Sequence, residues 1–219
     1  MEINDMSSKR NKETTPFTPK GYLIRLLVFA GGLYLLAFGV SVIIQANLGT
    51  ATWDVLHIGL SENFGLSIGR WVQIVGVVMV VLTSLLEKTR IQIGSVLNIV
   101  FVGFFLNQIL AADFIPVPDT LTVRIIMLLV GVTIMGVGSG MYVSSKIGAG
   151  PRDGMTLYIA KRFSLSVGTS RTILESLALT SGWLLGGPVA IGTFVTVPLI
   201  GPIMQRSLGV WTKILVKVA

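Results

Sequence analysis

Apolar positions crowd into six long stretches, near 22–46, 68–87, 91–111, 121–145, 167–186 and 189–208. Each is close to the ~20 residues that a helix needs to cross a hydrocarbon core of ~30 Å. Two shorter segments, 52–64 and 153–163, interrupt the series. At ~1.5 Å of rise per residue neither reaches across the bilayer. Each reads as a short helix with one apolar stripe, Leu56, Leu60 and Phe64 in the first and Met155, Ile159 and Phe163 in the second. The expected fold class is therefore an all-α membrane protein of six transmembrane helices. A short amphipathic or re-entrant helix follows the first span of each half.

The pattern repeats. An offset of 99 residues lays Arg25 on Arg124, Gly32 on Gly131, Gly39 on Gly138, Gly49 on Gly148 and Asp54 on Asp153. Residues 64–69, FGLSIG, fall on 163–168, FSLSVG; after a one-residue deletion near Pro188, Ile93-Gly94-Ser95 meets Ile191-Gly192-Thr193 and Gly103 meets Gly201. Two homologous halves follow, 21–118 and 119–219, in one integral membrane domain. Three spans per half is an odd number, so the second half enters the membrane from the opposite side and the repeats are inverted.

Basic residues test this layout independently, because cytoplasmic loops are enriched in Lys and Arg. Lys9, Arg10, Lys12, Lys20, Arg25, Lys88, Arg90, Lys146, Arg152, Lys161, Arg162, Arg206, Lys213 and Lys217 all fall on one side, 14 of the 17 basic residues. Both termini are thereby expected in the cytoplasm. The polar residues 1–20 read as a disordered cytoplasmic tail. The apolar run after them is too long for the roughly 7–15 residues of a signal-peptide core and should stay as a span. Tyr22, Trp53, Trp71, Trp183 and Trp211 fall near expected span ends, where amphipathic rings sit at the membrane interface.

Composition narrows the chemistry. With 52% hydrophobic and 12% charged residues the chain lies outside the range of soluble domains. Its net charge of +7 comes from residues scattered between apolar runs, which argues for orientation signalling and against nucleic acid. There is no cysteine and a single histidine, His57, so thiol chemistry and a histidine metal cluster are not expected, and no cofactor is implied. His57 reads as a solvated interfacial residue.

Residues 48–55, LGTATWDV, and 147–154, IGAGPRDG, are the equivalent helix starts of the two halves. Pro151 suits a first helical position, and Gly49, Gly148, Gly150 and Gly154 let the chain turn out of the preceding span. Asp54 and Asp153 stand in the first turn, where a carboxylate accepts from free amides and complements the helix dipole. Two readings stay open. The helices lie flat at the interface with the aspartates as caps, or their N-termini face a solute at the midplane, as in inverted-repeat transporters.

At these residues the chain resembles the YczE/YyaS/YitT family of bacterial membrane proteins, most closely its YczE-like branch. The resemblance rests on Leu48-Gly-Thr-Ala-Thr-Trp-Asp-Val-Leu-His57, with Thr52 where the family usually has Pro. It also rests on Gly148-Ala-Gly-Pro-Arg-Asp-Gly154, on Arg171 and Glu175, and on Gly182-Trp-Leu-Leu-Gly-Gly187. It covers nearly everything after residue 20 and implies a six-span inner-membrane protein, without a substrate or activity.

Charges inside the spans supply the remaining candidates. Arg171 and Glu175 lie one turn apart in the fifth span, and a carboxylate deep in a bilayer marks a functional position by default. An internal Arg171–Glu175 pair that merely allows burial is the structural alternative. Asn98, Asn107, Gln108 and Gln73 read first as interhelical hydrogen bonds, and the glycine steps as close helix packing. Asp54, Arg152, Asp153, Arg171, Glu175 and Asn98 form the candidate substrate-binding or gating set. No catalytic constellation is present, so an enzyme is not expected. The expected function is a small secondary transporter or permease for a small, anionic solute. A membrane scaffold or regulatory partner is the alternative. The lipid bilayer, a small-molecule solute and a second copy forming a homodimer are the expected partners.

Overall fold

The computed structural model describes residues 18–148 and 150–218. Within them the chain is helical, and no strand is present among the described residues. The eight helices run α1 Pro19–Ala46, α2 Thr52–Phe64, α3 Ile68–Glu87, α4 Ile93–Ala111, α5 Leu121–Ser144, α6 Pro151–Phe163, α7 Val167–Leu184 and α8 Ile191–Val218. Both short segments are helices of 13 residues. Most of the expected tail, 1–17, lies outside the described residues; its last residues are already structured. Thr18 caps α1, its side-chain oxygen accepting from the Gly21 amide at 3.1 Å, with Pro19 in the first helical position.

Four helices, α1, α3, α4 and α5, are long and apolar enough to cross a membrane. α7 carries Arg171, Glu175 and several hydroxyl residues, and α8 carries Pro198, Pro202, Gln205 and Arg206, which lowers the apolarity of both. α8 also continues about ten residues beyond the apolar run, since polarity alone does not stop a helix.

α1 and α5 form the central antiparallel pair, and glycines set their approach. A Cβ on Gly39 would lie 2.4 Å from the Met135 nitrogen, and one on Gly138 2.5 Å from the Leu36 nitrogen. Gly32 faces Gly138, and Gly39 faces Gly131. Backbone this close leaves no room for a methyl group, the arrangement small residues permit between membrane helices. Around the seam Phe29, Leu33, Ala37, Ile43 and Val132 are fully buried.

Other contacts come in pairs related by the same sequence offset. Gly94 at the start of α4 rests on the backbone of Ile147 and Gly148, and Gly192 at the start of α8 rests on Leu48 and Gly49. The Gly192 amide donates to the Leu48 carbonyl at 2.7 Å. Gly182 in α7 packs on Val55 and Leu56 of α2, as Thr83 in α3 packs on Gly154 and Met155 of α6. Gly49 has φ +94°, a conformation L side chains rarely adopt, which makes glycine necessary there.

Of the two readings of the short helices, α2 does not fit the flat surface helix. Thr52, Trp53, Asp54, Val55, His57, Ile58 and Gly59 are buried, while Phe64 of the expected stripe is 61% exposed. In α6 Thr156 and Ala160 are buried and Phe163 is exposed. The covered part of α2 thus mixes Trp53, Val55 and Ile58 with Thr52, Asp54 and His57, whereas α6 covers only the small residues Thr156 and Ala160.

Candidate functional site

A cavity of about 460 Å³ lies between the two halves. Its walls are mainly apolar, with Leu36, Val40, Val75, Ile99, Met135 and Ile200 among them. Its polar groups come from different elements: Asp54 and His57 from α2, Asn98 from α4, Tyr142 from α5, Arg152 and Asp153 from α6, Arg171 and Glu175 from α7. All six residues of the candidate substrate-binding or gating set therefore meet in one space. Gly150 and Pro151 also line it, whereas Gly49, Gly148 and Gly154 support it through the backbone contacts around α2 and α6.

The N-termini of α2 and α6 both open on this cavity. Neither has a side-chain cap: the N-cap residues are Ala51 and Gly150. The capping bonds expected of Asp54 and Asp153 are not made, so both carboxylates face the cavity without a helix amide. Asp54 and His57 are 4% and 2% exposed, and the His57 Nδ1 lies 3.8 Å from Asp54 Oδ1, beyond hydrogen-bond distance. That nitrogen has no hydrogen-bond partner among the described residues. The expectation of a solvated His57 is therefore corrected: the packing of α2 against α7 carries it inside.

Trp53 is corrected in the same way. Its ring does not face outward but is 7% exposed in the cavity wall, with the Arg152 guanidinium 4.9 Å from its ring centroid. Trp53 and Arg152 are equivalent positions of the repeat, so the two helix starts meet through the same residue of each. A guanidinium over an indole face is held by the ring quadrupole and keeps its donors available. Among the described residues no carboxylate lies within ion-pair distance of Arg152. The Tyr142 hydroxyl stands over Gly150, 3.2 Å from where a Cβ would be.

Arg171 and Glu175 form the expected pair, Nε to Oε1 at 3.1 Å, with side chains 52% and 29% exposed. The polar amides divide. Asn107 Oδ1 accepts from the Gly69 amide at 3.0 Å and Gln73 Nε2 donates to the Val100 carbonyl at 3.1 Å, both between α3 and α4. Asn98 instead faces the cavity, and Gln108 is exposed. A second hollow of about 310 Å³ shares Gly150, Pro151 and Asp153 with the first, so the start of α6 forms the partition between them. No group of three or more His, Asp or Glu residues suited to a metal occurs among the described residues.

Residues 23–208 match a family of unknown function, DUF6198. The chain belongs to this family. Within it the similarity to "Uncharacterized membrane protein YczE" of Bacillus subtilis (strain 168) is 38% identity over 188 residues, 85% of this chain and 86% of that protein. An "Uncharacterized protein" of Haemophilus influenzae is 32% identical over 92% of this chain and 90% of its own length. "Uncharacterized protein YyaS" of Bacillus subtilis is 28% identical over 83% and 91%. The family likeness drawn from the helix-start motifs is thereby established, and with the four apolar helices it makes the chain a membrane protein. No solved structure matches the chain.

Trp53, His57, Ser139, Tyr142 and Gln205 are among the cavity residues that sequence reasoning missed. The offset that pairs Trp53 with Arg152 carried a signal for the first. His57, one turn after Asp54 on the same helix face, carried one for the second. Tyr142 had none.

Proposed function

We propose that this chain is a small secondary transporter or permease of the bacterial cytoplasmic membrane, with six spans arranged as two inverted repeats and both termini in the cytoplasm. Its site is the cavity between the repeats, and its cargo is a small solute bearing an anionic group. It carries no catalytic centre in this reading. The observation that carries the proposal is the convergence of two uncapped helix N-termini, from equivalent positions of the halves, on one cavity that holds Arg152 without an ion-pair partner.

The physical reasons are direct. Free amides and the positive end of a helix dipole attract an anion, and a guanidinium adds donors that fit a carboxylate or phosphate in a forked geometry. Ionisable groups inside a membrane protein are costly unless they are paired, hydrated or used. Contacts duplicated by the sequence offset support a pseudo-twofold axis through the α1–α5 seam, the architecture in which the site lies at the repeat interface. Asp54, Asp153 and Glu175 supply carboxylates that can take up a proton with the cargo.

The test is thermal unfolding of the detergent-purified protein against a panel of small carboxylates, phosphates and amino acids at two pH values, with Arg152→Gln, Asp153→Asn and Glu175→Gln beside the wild type. A compound that raises the melting temperature of the wild type and not of Arg152→Gln is expected, followed by its uptake into liposomes containing the protein. No response from any anionic compound, with all variants as stable as the wild type, counts against transport and favours a scaffold or regulatory role.

A further inference from the structure

The two halves have the same parts but not the same conformation. In the first half, the seam between α3 and α4 is shut. A Cβ on Gly69 would lie 2.2 Å from the Gly103 carbonyl oxygen, and one on Gly103 would lie 2.4 Å from both the Gly69 carbonyl oxygen and Gln73 Cγ. Asn107 and Gln73 lock that seam through their hydrogen bonds to the Gly69 amide and the Val100 carbonyl.

The repeat carries Gly69, Gln73, Gly103 and Asn107 onto Gly168, Thr172, Gly201 and Gln205. Here the seam is open. Around a Cβ on Gly201 there is nothing within 4 Å, and around one on Gly168 nothing closer than the Ser166 hydroxyl of its own chain turn at 3.8 Å. Gly168, Gly201 and Gln205 are exposed, whereas Gly69 and Gly103 are buried. α7 and α8 are joined by the 185–190 connection, which is held by the Ala190 amide donating to Thr193 Oγ1 and the Gly192 amide donating to the Leu48 carbonyl. Arg171 and Glu175 on one side and Gly201, Met204 and Gln205 on the other line the cavity, so the slit between α7 and α8 is its mouth.

The repeat gives both seams the same glycine pair, while Gly76, packed on Ile99 in the shut seam, corresponds to Glu175 in the open one. Glycines stand at both contact points, and a side-chain amide stands at 107 and 205. Glycine in the middle of α8 lowers helix stability against alanine, and Gly201 makes no contact in this conformation that offsets it. A second conformation in which Gly201 meets a backbone supplies that contact.

We propose that α7 and α8 form the gate of the cavity and close by adopting the packing of the α3–α4 seam. In the closed state Gly168 lies against Gly201, Thr172 takes the place of Gln73, and the Gly168 amide donates to Gln205 Oε1. Closure draws Arg171 and Glu175 away from the surface and encloses whatever the cavity holds. The proposal rests on the transporter reading for its purpose, but its geometry is tested without any solute.

The chain has no cysteine, so Glu175→Cys with Val197→Cys introduces the only two thiols and leaves Gly168 and Gly201 intact; in the shut seam a Cβ at the counterpart Gly76 would lie 2.8 Å from Ile99 Cγ1. A disulfide needs Cβ atoms about 3.8 Å apart, a separation the open seam does not offer and the closed one does. The double variant in native membrane vesicles is treated with oxidant, or left untreated, and then tagged with a polyethylene-glycol maleimide. The expected result is two tags per chain before oxidation and loss of both from most chains after it, on a band of monomer size. Two tags retained after exhaustive oxidation overturn the gate. Failure to take up tags without oxidant overturns the open slit, and loss of tags into a dimer-sized band overturns closure within one chain. A disulfide with no solute in the thermal panel leaves the gate and removes the transport reading; a stabilising solute with no disulfide does the reverse.

Discussion

Gly39 and Gly209 both sit inside long helices, yet one added methyl group should act on them in opposite directions. At Gly39 the methyl meets the backbone of α5 at 2.4 Å, so α1 and α5 must separate. Gly39→Ala is expected to lose about 1–3 kcal/mol, the usual cost of overpacking. At Gly209 nothing lies within 4 Å, and Gly209→Ala should gain about 0.5–1 kcal/mol through helix propensity alone. Melting temperatures of the two purified variants decide this, and equal shifts would sink the account of the seam. Glu175 makes a milder case. Its partner Arg171 is half exposed at the cavity mouth, so Glu175→Gln should change stability by only about 0–1 kcal/mol. A loss of several kcal/mol would show that the pair is structural and leave no room for a role in binding.

At the scale of elements, α2 separates an interfacial helix from a buried one. Its first eight residues, Thr52 to Gly59, are almost all buried, whereas only Thr156 and Ala160 are buried in α6. Asn63 fastens its other end, Nδ2 donating to the Gly59 carbonyl at 2.8 Å and to the Leu185 carbonyl at 2.7 Å. Amides of 55–59 are therefore expected to exchange with deuterium as slowly as those of α1, and more slowly than those of 154–158. Rapid exchange throughout α2 would place it at the surface. The positions of both short helices were legible in the sequence, since length and apolar periodicity are local. Which face would be covered was not. The apolar stripe ending in Phe64 did not mark it: Gly59, Gly182 and Gly187 bring α7 and the turn after it onto Val55, Leu56 and Gly59, and Phe64 stays exposed.

At the scale of the molecule, orientation is the open variable that a direct measurement settles. Asp119→Cys, between α4 and α5, should react with a membrane-impermeant maleimide in intact cells. Lys88→Cys, between α3 and α4, should react only after the membrane is permeabilised. Reversed labelling would invert the proposed topology, and labelling of both from outside would refute an odd number of spans between them. In α7 and α8 part of the lower apolarity, from Arg171, Glu175 and Gln205, lies where they line the cavity. A helix that faces water on one side and lipid on the other needs less apolar surface than one facing lipid all round.

The sequence by itself determined the four long apolar helices, because a bilayer demands about 20 apolar residues per crossing, and the places of the two short ones between turn residues. It also carried the offset of 99 at which Gly49 and Gly148, and Asp54 and Asp153, recur. Several of the site's residues were legible: Asp54 and Asp153 stand at helix starts, and Arg171 and Glu175 are charges in an apolar run. Only the tertiary structure decided that Trp53 and His57 are inside, that Trp53 lies under Arg152, and that one seam is shut while its counterpart is open. Those outcomes depend on which surfaces meet. Two segments of related sequence can present the same groups and still be packed differently, because packing is set by the neighbours as well as by the segment.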